Sequence, residues 1–305
     1  MRAAVIGIGS NSVRMLVADI EGDRGVRVTR ERAATRLFAG LGADRRLSPQ
    51  SMENTTAAVA GMADQARRMG AEELRLFATS ATRDAANQDE LAALLLERAG
   101  LTLEITPGED EAALSYLGAM EGGFSGVIDI GGGSTEIIGG HDLEVDFGFS
   151  CQMGAVRLFR QYDIGGRQDM QTVIDAADRL ICAELALRPG LPLPKVWRGT
   201  GGTFTALAAL RHGVSWSERG MIHGTCLERG FVEAIGAQLA DMTVEQRLRV
   251  PGLHPGRADI VVHGICILIA CMRRLDFSRI TVSEYGNLDG YLKRTYRLNG
   301  GLTNA

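Results

Sequence analysis

Val127-Ile128-Asp129-Ile130-Gly131-Gly132-Gly133-Ser134-Thr135 is the stretch whose reading decides the fold. An apolar, β-branched run carries one carboxylate, breaks at consecutive glycines and resumes through Thr135–Gly139. That order predicts a strand, a tight glycine-rich turn and a returning strand. It occurs once before, as Val5-Ile6-Gly7-Ile8-Gly9-Ser10-Asn11-Ser12, with Val13–Ile20 as the returning strand. A further strand is expected after each copy, over Val26–Arg36 and over Asp142–Phe149. Two copies of a β-meander with α/β extensions imply an α/β protein of two similar lobes with a cleft between them.

Working outward, Ser48 followed by Pro49 predicts a capped helix running to about Met69. A strand is expected over Leu74–Ala78, a helix over Ala85–Arg98 closed by Gly100, and a helix over Glu109–Met120. In the second copy, helices are expected near 154–162, 169–187, 203–211, 228–240, 244–249 and 258–275. Strands are expected at Lys195–Arg198 and Ile280–Val282, with a closing helix over Leu288–Tyr296. The lobes are expected at residues 1–123 and 124–305, with the last helix free to return to the first lobe.

Composition excludes several classes. With 33 Lys+Arg against 37 Asp+Glu, a net charge of -4 offers no means of displacing counterions along a nucleic acid. The 45% apolar content argues against disorder. Five cysteines without a CxxC pair predict neither a disulfide framework nor a zinc site. The start, Met1 to Ile6, runs into Gly9 too soon for a secretory apolar region, and Ile260–Met272 is too short to span a bilayer. A cytoplasmic protein without membrane or nucleic-acid partners is expected.

The 39 glycines matter by position. Gly9-Ser10-Asn11-Ser12 and Gly131-Gly132-Gly133-Ser134-Thr135 read either as ordinary tight turns or as anion cradles, in which backbone N–H groups converge on a phosphate. Gly199-Thr200-Gly201-Gly202-Thr203, between a strand and a helix, is a third candidate. Three such loops in the order that related lobes would supply favour phosphate. Asp129 and Glu136 flank the second loop as hard oxygen donors suited to Mg²⁺. Glu109 and Asp110 suit the positive end of a helix. Glu111, one position further in, would either join them or orient a water. Arg83, after Ala78-Thr-Ser-Ala-Thr82, is a phosphate clamp or a surface ion-pair partner.

Taken together, the segments GSNSVRMLV at 9–17, ATSATRDAANQDEL at 78–91, GEDEAALSYLG at 108–118, VIDIGGGSTEII at 127–138, GTGGT at 199–203 and PGLHPGRADIVVHG at 251–264 resemble the exopolyphosphatase/guanosine pentaphosphate phosphohydrolase family. The resemblance covers essentially the whole chain. It implies two ribonuclease H-like lobes of the actin-like, sugar-kinase-like ATPase fold, in the short two-domain form of the family. It also implies Mg²⁺-dependent hydrolysis of a terminal phosphoanhydride, in inorganic polyphosphate or at the 5′ end of guanosine pentaphosphate. Glu111 falls on the family's catalytic glutamate, Asp129 and Glu136 on its magnesium-associated acids, and Arg83 on its phosphate-contacting arginine. Gly9, Ser10, Asn11, Ser12, Gly131, Gly132, Gly133, Ser134, Thr135, Gly199, Gly201, Gly202 and Thr203 are the expected phosphate-binding residues. A homodimer is a family-based expectation.

The chain departs from the family pattern twice. Gly7 stands where an aspartate is usual, against Asp129 in the internal repeat, and a glycine there is expected to leave room for a water or a substrate oxygen. Leu288, in Gly286-Asn287-Leu288-Asp289-Gly290, stands where an arginine is usual, which suggests a lost substrate contact. Both support an alternative: a weakened or inactive binder of polyphosphate or guanosine tetra- and pentaphosphate.

Overall fold

In the computed structural model, which describes residues 1–216 and 219–304, the first meander is β1 (Arg2–Ile8), β2 (Val13–Glu21) and β3 (Arg24–Ala33). Helix α1 (Pro49–Arg68) follows, its Ser48 hydroxyl accepting from the Ser51 amide, with Pro49 at the start where no N–H is missed. Next come β4 (Glu73–Ala78), α2 (Ser80–Arg83), α3 (Gln88–Ala99), β5 (Leu103–Ile105) and α4 (Gly108–Ala119). The single helix expected from Ala85 begins later because Asn87 is spent elsewhere. Its side chain accepts from the Leu47 amide at 2.8 Å and donates to the Leu47 carbonyl at 3.1 Å, so the chain turns there.

The second meander is β6 (Phe124–Ile130), β7 (Thr135–His141) and β8 (Glu144–Cys151). After it come α5 (Ala155–Phe159), α6 (Met170–Ala186), β9 (Trp197–Thr200), α7 (Gly202–His212), β10 (Cys226–Glu228), α8 (Arg229–Ala240), α9 (Val244–Arg247), α10 (Val261–Arg274) and β11 (Arg279–Val282). The chain closes with α11 (Asn287–Tyr296) and β12 (Gly301–Asn304). The short edge strands β10 and β12 have no alternation that would announce them.

Two compact units result: Met1–Gly118 with Asn287–Ala305, and Ala119–Gly286. The division falls a few residues before the expected boundary, and the last helix and strand belong to the first unit. The sheets run β12-β3-β2-β1-β4-β5 and β10-β11-β9-β6-β7-β8. Without the extra edge strands β12 and β10, one order remains: β3-β2-β1-β4-β5 against β8-β7-β6-β9-β11. Pairing senses match as well, antiparallel in each meander and parallel at β1·β4, β4·β5, β6·β9 and β9·β11. The short sequence repeat is therefore the visible part of a whole-unit duplication.

Each unit has its own core. Helix α10 is buried from Val261 to Met272 and packs against α6 and α8, as an apolar run flanked by arginines requires. No helix among the described residues is long and apolar enough to cross a membrane. In the first unit, Leu288, Tyr291, Leu292, Leu298 and Leu302 join Ala3, Val5, Leu16, Phe77 and Leu114 in one cluster. Leu288, read in the sequence as a lost substrate contact, is thus a core residue, whose burial is worth about 1.5–3 kcal/mol. Gly290 lets α11 meet the Leu114 backbone of α4. A buried ion cluster pins the same segment: Arg27 Nε donates to Asp289 Oδ1 at 2.7 Å, Arg27 Nη1 to the Leu302 carbonyl at 2.5 Å, and Arg30 pairs with Asp289.

Candidate active site

In each unit the glycine-rich turn closes with the same bond. Gly9 N–H donates to the Ser12 carbonyl and Gly131 N–H to the Ser134 carbonyl, each at 3.0 Å. Identical closure follows from identical register, Ile8 facing Val13 and Ile130 facing Thr135.

In the first unit the parallel strands β1, β4 and β5 end at one edge of the sheet, where α/β proteins bind ligands. Gly9–Ser12, Ser80–Arg83 and Thr106–Glu111 are the segments that follow these ends. Ser10 and Ser80 hydroxyls lie 3.0 Å apart, tying the first loop to α2. Arg83 Nη1 donates to the Thr106 carbonyl at 2.7 Å and to Glu111 Oε2 at 3.2 Å. The Glu111 carboxylate is buried, so this charge-assisted contact holds it in place. Asn11 Nδ2 and Arg83 Nη2 are buried and, among the described residues, have no hydrogen-bond partner. Both atoms are donors only. A buried donor left over costs free energy, and an incoming anion would repay it.

In the second unit Asp129 and Glu136 face each other directly across β6 and β7. Directly opposed residues share a sheet face, so the hairpin brings the two carboxylates together. Both are buried, at 8% and 1% exposure. Ser150, the β8 partner of Glu136, donates its hydroxyl to Glu136 Oε1 at 2.8 Å. Gly201 closes the group from the third loop: a β-carbon there would lie 2.9 Å from Asp129 Oδ1, and its φ of +100° favours glycine. Among the described residues no set of three or more His, Cys, Asp or Glu side chains gathers as a metal-ligand group. Two carboxylates nevertheless fit Mg²⁺, which keeps several waters and takes few protein oxygens. Cys151, next to Ser150, remains a neutral thiol because burial pushes its pKa up, with Glu136 adding to the effect.

The remaining expected residues divide by role. Gly131 and Gly132 carbonyls accept from the amides of Ala155, Val156 and Arg157, and Arg157 Nε donates to the Gly133 carbonyl at 2.6 Å. The start of α5 thereby fixes the orientation of the second loop. Ser134 is buried within it. Thr135 donates its hydroxyl to the Met153 carbonyl at 2.6 Å, and Thr203 packs against Gly264 of α10. Gly199 lies under the Phe204 ring, so its small size serves the core. Three arginines of the first unit are already engaged, Arg30 with Asp289, Arg45 with the Asp84 carbonyl and Arg46 with Glu90.

Sequence reasoning left Arg257 and Ser150 outside the site. The Arg257 guanidinium lies against Gly202, which only a glycine permits, so a cation belongs to the third loop. The available signal was the Gly256-Arg257-Ala258-Asp259 motif. Ser150 had none, since its place depends on strand register.

Two duplicated α/β units, each with a glycine-rich hairpin closed by the same bond, have the actin-like, sugar-kinase-like fold. The chain belongs to the Ppx/GppA phosphatase family, whose model matches residues 11–297. Exopolyphosphatase 2 of Mycobacterium tuberculosis is 35% identical over 95% of this chain and 97% of its own length. An exopolyphosphatase crystal structure from Cytophaga hutchinsonii superposes with a TM-score of 0.87 at 25% identity, covering 97% of this chain and 98% of that one. The Ppx/GppA family member of Aquifex aeolicus gives 0.82 at 25% identity, over 98% and 99%.

Proposed function

We propose that this chain is a hydrolase that releases terminal orthophosphate from inorganic polyphosphate. The observation that carries the reading is the Arg83–Glu111 pair, in which one terminal guanidinium nitrogen holds the carboxylate while the other is buried and, among the described residues, has no hydrogen-bond partner. A clamp with one arm on the base and one arm available to phosphate is the arrangement that phosphoryl transfer to water needs. Kinship with the exopolyphosphatase of M. tuberculosis supports the substrate class.

In this reading Glu111 accepts a hydrogen bond from the attacking water and orients it in line with the departing chain. Arg83 and Asn11 bind phosphate oxygens, with the backbone of the Gly9–Ser12 loop beside them. Asp129 and Glu136 hold Mg²⁺, which when bound neutralises phosphate charge, and Ser150 fixes the Glu136 carboxylate. The 5′-phosphate of guanosine pentaphosphate is a second substrate of the same chemistry. Gly7 favours the rival reading, a binder that hydrolyses slowly or not at all.

Phosphate release from long-chain polyphosphate and from guanosine pentaphosphate, with Mg²⁺ and a Glu111→Ala control, decides between them. Release well above the control is expected. Binding without release above it would overturn the hydrolase reading in favour of the binder.

A further inference from the structure

The duplication allows each position of one unit to be compared with its counterpart in the other. In the second unit Asp129 pairs in register with Thr200 of β9, and in the first unit the same two places hold Gly7 and Phe77. An acid beside a small residue in one unit has become a glycine beside a large ring in the other. Across the hairpin the contrast continues: Glu136 faces Asp129, whereas Arg14 faces Gly7.

The space next to Gly7 is filled. A β-carbon there would lie 3.0 Å from Cζ and 3.3 Å from Cε1 of Phe77, closer than carbon atoms ordinarily approach. Retreat is obstructed, because Phe77 is fully buried and stacks on Tyr291 with centroids 4.9 Å apart and planes 2° apart. Tyr291 is anchored in turn, its hydroxyl donating to Glu104 Oε2 at 2.7 Å. On the hairpin side, Arg14 Nη2 donates to Asn287 Oδ1 at 3.0 Å. The room for a water or substrate oxygen expected beside a glycine is therefore occupied by an aromatic ring.

We propose that Phe77, backed by Tyr291, takes the place of the side chain absent at position 7, so that the first unit holds no carboxylate there and the Asp129–Glu136 pair of the second unit has no counterpart in it. Position 7 is adapted to glycine, and restoring the acid alone damages the site. The activity arm of this inference rests on the hydrolase reading, and the packing arm does not.

The packing arm is a melting-temperature cycle over wild type, Gly7→Ala, Phe77→Val and the double variant. Gly7 lies in a strand with ordinary backbone angles, so alanine in open space would stabilise by restricting the unfolded chain. With the ring in place, Gly7→Ala is expected to lower the melting temperature, and in the Phe77→Val background the same change is expected to raise it. An increase in both backgrounds would overturn the proposal. In the activity arm, Gly7→Asp is expected to lose about tenfold or more in phosphate release, because displaced catalytic groups are costly, and Gly7→Asp/Phe77→Val to recover part of it. A single Gly7→Asp variant as stable as wild type, with higher release and a lower Mg²⁺ requirement, would also overturn it. If wild type shows no release above Glu111→Ala, the hydrolase reading fails and the melting cycle still decides the packing.

Discussion

Arg83 donates through Nη1 to Glu111 Oε2 at 3.2 Å and also to the Thr106 carbonyl at 2.7 Å, so the segments after β4 and β5 meet on one guanidinium. Lysine carries its three N–H groups on one nitrogen and lacks the planar fork, so it cannot hold both acceptors on one nitrogen and present a second nitrogen to phosphate. Arg83→Lys is expected to lower kcat and raise KM for polyphosphate together. Glu111→Gln, which keeps the shape but not the base, is expected to cost about 10²–10⁴-fold in kcat with KM little changed. Steady-state phosphate release checks both.

Ser150 touches no substrate in the proposed mechanism, yet its hydroxyl orients Glu136 at 2.8 Å. Removing such an outer hydrogen bond typically costs about 10–100-fold in metal affinity or activity. Ser150→Ala should raise the Mg²⁺ concentration for half-maximal activity by roughly tenfold or more, with a near-normal melting temperature. Mg²⁺ titration of the activity measures it.

Gly201 combines a φ of +100° with a β-carbon site 2.8 Å from the Ile130 carbonyl and 2.9 Å from Asp129 Oδ1. Gly201→Ala therefore pays backbone strain of about 1–3 kcal/mol and displaces Asp129 as well. Lower stability in urea and a raised Mg²⁺ requirement should appear in the same variant.

Asp289 is buried between Arg27 and Arg30. Asp289→Ala removes the carboxylate that Arg27 and Arg30 share in a buried site, at a cost of about 3–5 kcal/mol. Urea unfolding should register that loss. Amide exchange of α11 and β12 should accelerate, since Asp289 and the Arg27–Leu302 bond anchor both to the sheet.

His263 is buried in α10, and its Nε2 lies 2.8 Å from the Tyr162 carbonyl, which can only accept, so Nε2 carries the proton. Nδ1 has no partner among the described residues. Burial depresses its pKa below the ordinary 6.5, and the Arg247 charge adds to this, against the opposing Tyr162 bond and the charges of Asp163 and Asp259. The folded state thus prefers the neutral ring. Its contribution to stability is complete above pH 6.5 and is lost as pH falls, because the unfolded chain then binds the proton more readily. His263→Gln, still able to donate to Tyr162, should flatten this component of the melting-temperature profile between about pH 7 and pH 5.

Local chemistry made much of this protein legible in its sequence. The alternation of apolar runs and glycine turns marked both hairpins and Ser48-Pro49 marked the start of α1, while the carboxylates at 111, 129 and 136 and the guanidinium at 83 were candidates whose roles came from the family resemblance. What depended on partners distant in the chain did not show. Short edge strands such as β12 exist because a neighbour, β3, offers hydrogen bonds. Leu288 reads as a lost cation until α11 is seen packing on β1 and β2, and Ser150 reads as an ordinary strand residue until register sets it on Glu136. Gly7 is the sharpest case. The internal repeat set Gly7 against Asp129, whereas the tertiary structure decided what lies beside the glycine, because only the parallel register of β1 and β4 brings the ring of Phe77 against it.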